Sequence, residues 1–520
     1  MPWRVQRRSA RSASQSLTAK LRRAAICAAA AVSLLAGCGG GSSSGSPPVR
    51  VGTPTPTPSP ALNVVQISSD TFTNSTSQHA TEVEPDLEAN GSTLVSTFQV
   101  GRFFVAGASG IGFSTSLDGG HTWRPGVLPA ITRVQNPLNA YDSASDPSVA
   151  YDVAHGVWLI ASLPVINSGA PEPGALISRS RNGLFWSPPV SVAPGQKFAD
   201  KTWIRCDDHT ASPFYGHCYV EWDDPSENGL IKLSTSIDGG ATWSPFMSPG
   251  NAPMGLGGIP VVQPNGTVVV PLDDFNQANI IAFVSKNGGA SWNSWTEVAT
   301  ITDHEVDGGL RTTPLPTATV DAEGVVYVVW QDCRFRAGCA SNDLVMSKSS
   351  DGVHWGGVVR IPIDPKSSSD DHFIPGLSVD PLTGGASAHL ALAYYFYPNT
   401  NCSLASCQLD VGFVGSLDGG ATWSPPQKLA GPMNLGALPG TRDGLMVGDY
   451  IATAFSNGAP YAVFAIANPA AGIRFDEATY VPRRAPPLGD RRFFARVVPD
   501  RPVPGAKSDH SPRRPRPFED

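Results

Sequence analysis

One eight-residue pattern constrains this 520-residue chain more than any other feature. Ser116-Leu117-Asp118-Gly119-Gly120-His121-Thr122-Trp123 returns as Ser236-Ile237-Asp238-Gly239-Gly240-Ala241-Thr242-Trp243 and again as Ser416-Leu417-Asp418-Gly419-Gly420-Ala421-Thr422-Trp423. Weaker copies end at Trp292, Trp186 and Trp355, the last two one residue shorter. The six tryptophans stand 63, 57, 49, 63 and 68 residues apart, and a repeat of about 60 residues is the mark of an architecture built from one supersecondary unit. A short carboxylate or amide at a tight turn accepts bonds from the turn's own N–H groups, the following glycines supply positive φ, and the tryptophan packs on neighbouring strands. Such a turn staples strands, so Asp118, Asp238, Asp351 and Asp418 are poor catalytic candidates.

The repeat resembles the Asp box, or BNR repeat, of sialidase-like β-propellers. That resemblance implies an all-β propeller of four-stranded antiparallel blades. Two apolar runs joined by a turn precede each box, as at 87–90 with 94–98 or 318–321 with 325–330, and read as the inner A and B strands. The A–B hairpins begin near Glu84, Asp146, Lys201, Gly258, Pro314, Phe373 and Asp449. Residues 63–482 then divide into seven blades, with six as the alternative, and 63–69 would return as the last outer strand to tie the termini together.

The ends of the chain read differently. Seven cationic residues precede the apolar run 24–36, too short to span a bilayer, so residues 1–37 read as a signal peptide. The run closes on Leu35-Ala36-Gly37-Cys38, which resembles the bacterial lipobox and implies that Cys38 carries the lipid. Residues 38–62, rich in Gly, Ser, Thr and Pro, then form an extended tether. The expected protein is extracytoplasmic, a monomer lipid-anchored to an outer membrane or cell surface. Residues 483–520 carry ten cationic and five acidic residues and no apolar periodicity, and are expected to be a disordered, basic, Pro-rich tail.

Six cysteines beyond the anchor fall into three close pairs: Cys206 with Cys218, Cys333 with Cys339, and Cys402 with Cys407. With no CxxC pair, local disulfides are the expectation rather than a metal site. Between residues 63 and 482 there are 19 Lys and Arg against 39 Asp and Glu. So acidic a body excludes nucleic acid as a partner.

Boxes mark one face of a propeller, and the starts of the A strands and ends of the B strands meet on the other. That mouth collects Asp146, Asp200, Asp371 and Asp449 as leading catalytic carboxylates, with Glu84, Lys201 and His372 as binding groups. A ring of carboxylates performs glycoside hydrolysis when crowding keeps one protonated and another ionised. It equally has the charge to hold a structural cation, although no cofactor is otherwise expected. Sialidases grip a substrate carboxylate with three arginines, use a tyrosine nucleophile and carry Arg-Ile-Pro near the first strand. Here that place reads Val83-Glu84-Pro85, so the resemblance leaves Arg311, Arg334 and Arg442 as a different cluster and Tyr395 or Tyr450 as nucleophile. The mouth thus supports two readings: a sialidase-like glycoside hydrolase acting on a glycan or glycoprotein, or a non-catalytic propeller that binds glycan or protein there.

Overall fold

Alternating apolar residues in short runs, broken by Gly, Pro and Asn, give strands and almost no helix. The computed structural model describes residues 63–470, 472 and 474–508; the expected signal peptide, Cys38, the tether and residues 509–520 lie outside them. Among the described residues no helix is long and apolar enough to cross a membrane. The fold is an all-β propeller. Inner strands such as Asp86–Asn90, Ser143–Asp152 and Asp200–Cys206 lie side by side about an axis, and Asp86–Asn90 meets Ala452–Ser456 to close the ring. Val64–Gln66 pairs with Glu477–Pro482 as the outer strand of the last sheet, tying the start of the described chain to the last blade.

The expected blade count is corrected. Five blades carry four or more strands, rather than seven or six regular ones: one eight-stranded sheet, one five-stranded and three four-stranded, beside a three-stranded sheet. Two local causes account for the difference. Ala108 pairs with Ala144 and fuses the strands of residues 86–127 with those of 143–196 into one sheet. After Trp243 the chain runs through Pro245, Pro249 and Pro253, which cannot donate to a ladder. Only single bridges, Leu233 with Met247 and Leu230 with Met254, remain where a fourth strand would lie.

The recurrent turns are hydrogen-bonded as their composition requires. Asp418 accepts from Thr422 N (2.8 Å), Thr422 Oγ1 (2.6 Å) and Ser416 Oγ (2.9 Å), while the Trp423 indole donates to Gly420 O at 3.2 Å. Asp118 and Asp238 repeat this pattern. Between the sheets lie apolar layers that fully bury Trp222, Trp330 and Trp423. All three disulfides form as paired in the sequence.

The stretch after Pro482, expected to be disordered, is a strap as far as Ser508. Pro487 O accepts from Gln427, Arg491 donates to Leu417 O, and Ala495–Arg496 pairs with Thr422–Trp423. Asp500 then meets Lys366 (2.6 Å), Val503 N donates to Arg334 O (2.8 Å), and Ser508 Oγ accepts from Asp303 N (3.0 Å).

Because Asp418 holds both the turn and the strand on which the strap pairs, Asp418→Ala should cost about 1–3 kcal/mol, the range for half-buried bonds lost with their partners left behind. Chemical denaturation would show this as a lower midpoint with an unchanged slope.

Candidate functional site

Inner strands deliver side chains to the axis through a recurring irregularity. The pairing of strand A with strand B slips between Ser145 and Ser148, between Asp200 and Trp203, and between Phe373 and Gly376. At each slip a non-glycine residue takes positive φ: Asp146 (43°), Lys201 (49°) and Ile374 (50°), with Glu84 (54°) in the same place on the first strand. Such bulges re-aim a side chain, and left-handed non-glycine residues persist only where their surroundings compel them. In three of the four the next residue is proline, Pro85, Pro147 and Pro375.

Glu84, Asp146, Asp200, Lys201, Arg311, Asp449 and Tyr450 are brought together on this axis. The buried Lys201 ammonium bonds Asp449 and lies 3.7 Å from Glu84 and 3.8 Å from Asp146. Arg311 bonds the same Asp449 oxygen. Lys201 N also donates to Asp200 (3.0 Å) and Asp146 (3.2 Å). Tyr450 gives its hydroxyl proton to Pro147 O at 3.0 Å and stands edge-on to Trp203, with ring centroids 5.0 Å apart.

The carboxylates of this cluster are pushed apart in acidity. Burial, reinforced by the charge of Asp146, raises Glu84 to about 8, and the same two causes raise Asp200 to about 7. Burial also acts on Asp449 and Asp146, but the cations overcome it. Arg311 and Lys201 hold Asp449 below the usual carboxylate range, and Lys201 does so for Asp146. Burial thus favours the protonated form of Glu84 and Asp200, and the cations favour the ionised form of Asp146 and Asp449.

The other sequence candidates stand elsewhere. Asp371 accepts from Asn342 N (2.8 Å) and faces His304 at 3.9 Å, with its pKa lifted to about 7 by burial. His372 is buried beside Phe396, its Nδ1 3.3 Å from Asn342 O. Tyr395 is fully buried, its hydroxyl donating to Ala465 O and accepting from Ala465 N, both at 2.9 Å. The three arginines hold different partners: Arg311 joins the axial cluster, Arg334 grips Asp332 and Thr300 O, and Arg442 lies beside Asp443. Sequence patterns alone did not single out Gln99, which bonds Glu84 and donates to Ser145 at 3.1 Å, or the buried Glu477, whose charge acts on Arg102. The recurring residue-before-proline on inner strands was the signal that could have ordered the axis.

Among the described residues, two groups have ligand atoms close enough for a metal. In one, Cys206 and Cys218 are spent in their disulfide; in the other, Asp343 and Asp364 are paired with Arg336 and Arg360 beside His372.

A cavity of about 420 Å³ also reaches the cluster, from the side opposite the expected mouth. It runs along the inner strands from the A–B turns at Asn90, Leu382 and Asn457, past Glu88 and Arg205, to Asp449 and Tyr450. On the mouth side the Gly440–Thr441 and Gly444–Leu445 hairpin leans over the axis, Leu445 O accepting from Arg311 N at 2.7 Å.

No protein-family model and no curated protein matches the sequence. Among solved structures, a protein of unknown function from Dyadobacter fermentans is 16% identical, with 69% of this chain and 100% of that one covered and a TM-score of 0.42. The NanB sialidase of Streptococcus pneumoniae is 13% identical, covering 80% and 70%, at a TM-score of 0.39. An ulvan lyase of polysaccharide lyase family PL25 is 10% identical, covering 81% and 95%, at 0.48. Nothing about this chain's site is carried over from them at these identities and scores.

Lys201→Met would leave Asp449 and Asp146 short of a buried partner, and such losses cost about 3–5 kcal/mol. The pH dependence has a definite sign. Glu84 and Asp200 bind their protons more tightly when folded, so stability falls as pH rises toward 7 and 8. Asp146 and Asp449 act oppositely, losing their contribution as pH falls below the usual carboxylate range. From these four groups, denaturant unfolding across a pH series should show a maximum near the ordinary carboxylate range, about pH 4, and a steady fall from there to about pH 8.

Proposed function

We propose that this chain is an exported, lipid-anchored β-propeller that hydrolyses glycosidic bonds at its axial cluster, by carboxylate acid–base chemistry rather than through a tyrosine nucleophile. One observation carries the reading: carboxyls whose surroundings push their acidities in opposite directions stand side by side around Lys201 and Arg311. Groups whose surroundings push their acidities apart supply the proton donor and the charge stabiliser that glycoside cleavage needs. Asp200 gives its proton to the departing sugar oxygen as the glycosidic C–O bond breaks, and a water then adds to the anomeric carbon and returns a proton to Asp200. Asp146 and Asp449, kept ionised by Lys201 and Arg311, stabilise positive charge developing on the sugar ring.

Tyrosine chemistry lacks support from the same geometry. Tyr450 and Tyr395 both spend their hydroxyls on backbone carbonyls, and burial pushes both well above the ordinary phenol range, opposite to an activated nucleophile. The anchor rests on Leu35-Ala36-Gly37-Cys38, and the three disulfides suit an oxidising compartment outside the cytoplasm. A second reading, a propeller that binds glycan without turnover, is favoured by burial: Glu84, Asp146 and Asp449 are at most 5% exposed.

The test is mass spectrometry of sugars released when the full chain meets a sialylated glycoprotein and a panel of neutral oligosaccharides. Release that disappears in a folded Asp200→Asn variant, survives in Tyr450→Phe, and falls as pH rises through about 7 supports the hydrolase. Loss in Tyr450→Phe with a native circular dichroism spectrum would restore the tyrosine mechanism. No release from any substrate, with glycan retained on the protein, would leave the binding reading.

A further inference from the structure

We infer that the cavity opening on the face of the A–B turns is a binding site for an organic ammonium whose apolar body ends in a hydroxyl. Its volume of about 420 Å³ lies within the range of small-molecule pockets, about 300–1,000 Å³. Leu87, Ile259, Leu315 and Leu377 give it apolar wall, and carboxylates give that wall a sign. Asp86, Glu88, Asp208, Asp380 and Asp449 line the cavity against one guanidinium, that of Arg205. Arg205 is already committed, because it bonds Glu88, and His209 spends Nε2 on Val262 O at 3.0 Å.

Asp86 and Asp208 are held by backbone rather than by cations. Asp86 accepts from Leu87 N and Val149 N, both at 2.8 Å, and Asp208 from Val153 N at 3.2 Å. Burial raises Asp86 to about 6 even with Arg205 nearby, as expected where acids outnumber the positive charge around them. A concave wall of one sign concentrates the opposite charge, so the outer part of the cavity favours a cation.

The inner end asks for something else. Asp449 closes it, 5% exposed, and takes both Lys201 and Arg311 on Oδ2. Its other oxygen, Oδ1, has no hydrogen-bond partner among the described residues. A buried acceptor without a donor is costly, and a ligand that supplies the donor gains by it. With two cations on that carboxylate already, a neutral hydroxyl suits Oδ1 better than a third charge. The layout of the ligand follows from the wall: hydroxyl on Asp449, apolar body beside Trp203 and the leucines, ammonium toward Glu88 and Asp208. Asp200, the proton donor of the proposed hydrolysis, is not among the groups lining the cavity, so the inference is independent of whether the axial cluster is catalytic.

The test is isothermal titration calorimetry of the full chain with three probes: tyramine, phenethylamine, which lacks the hydroxyl, and tyrosol, which carries a second hydroxyl in place of the ammonium. Tyramine should bind with a Kd below about 1 mM, and each of the others at least about fivefold more weakly. Asp208→Asn with an unchanged melting midpoint should weaken tyramine about threefold or more and leave tyrosol as it was. In methyl-labelled protein, the tyramine ring should show intermolecular NOEs to the methyl groups of Ile259, Leu315 and Leu377, which places the ligand without any substitution. Tyrosol binding as tightly as tyramine would overturn the inference, because the acids would then select no cation. Phenethylamine binding as tightly would overturn it at the Asp449 end. It falls equally if tyramine does not bind at about 10 mM or if its NOEs reach none of these methyl groups.

Discussion

The ammonium of Lys201 is the interaction on which the axis depends. It is 6% exposed and takes carboxylates from three parts of the chain: Glu84, just before the first inner strand, Asp146, within the second, and Asp449, which precedes the last. A propeller must close a ring whose ends are far apart in sequence, and here the closing contact is electrostatic as well as apolar. Gly448 shows how tightly the ends meet, since a Cβ there would lie 3.0 Å from Glu84 N, at a φ of +119° that few other residues adopt. Isolated charges would not survive such burial, so the cluster adjusts by protonation. Burial favours the protonated form of Glu84 and Asp200, while the cations favour the ionised form of Asp146 and Asp449.

Much of this was legible in the sequence. The recurrent turns gave the all-β propeller and the face from which they project, and close cysteine pairs gave the disulfides. Candidates chosen because they begin inner strands converged where the chain makes its bulge: Glu84, Asp146 and Lys201 all take positive φ there. Asp371 and His372 were chosen by the same rule and missed the axis, for a reason of register. In that strand the bulge falls at Ile374, before Pro375, so an apolar side chain holds the place that acids and Lys201 hold elsewhere. Aligning strands by their prolines rather than by their first polar residue would have shown it. Tyr395 was lost to pairing across sheets, because its hydroxyl serves Ala465, 70 residues away, and no local pattern records that demand.

The blade count and the tail failed for a related reason: both depend on which backbone groups find partners, and composition does not say. Dividing length by the repeat assumes that each repeat builds the same sheet. Three prolines after Trp243 and one pairing between Ala108 and Ala144 break that equality without disturbing the repeat. Prolines and arginines after Pro482 likewise resemble a solvated appendage. Yet the exposed edge left by the short strand Thr422–Trp423 accepts Ala495–Arg496, and the recurrent turn beside it offers the carbonyls of Leu417 and Ala421 to Arg491 and Val497. An unpaired edge recruits whatever chain is near.

The axial cluster also divides the interior in two. From the side of the A–B turns, the 420 Å³ cavity ends against Asp449 and the Trp203–Tyr450 pair. From the mouth, the first charged member met is Arg311, with 24% of its side chain exposed, under the hairpin that ends at Leu445. A ligand arriving by the cavity meets aromatic edges and a carboxylate; one arriving by the mouth meets a guanidinium among acids. The two approaches therefore select different chemistry, although both end on the same aspartate. Asp449 is held by Arg311 on one side and Lys201 on the other, so a group that draws Arg311 away leaves Lys201 to neutralise Asp449 alone and weakens its hold on Asp146 and Glu84.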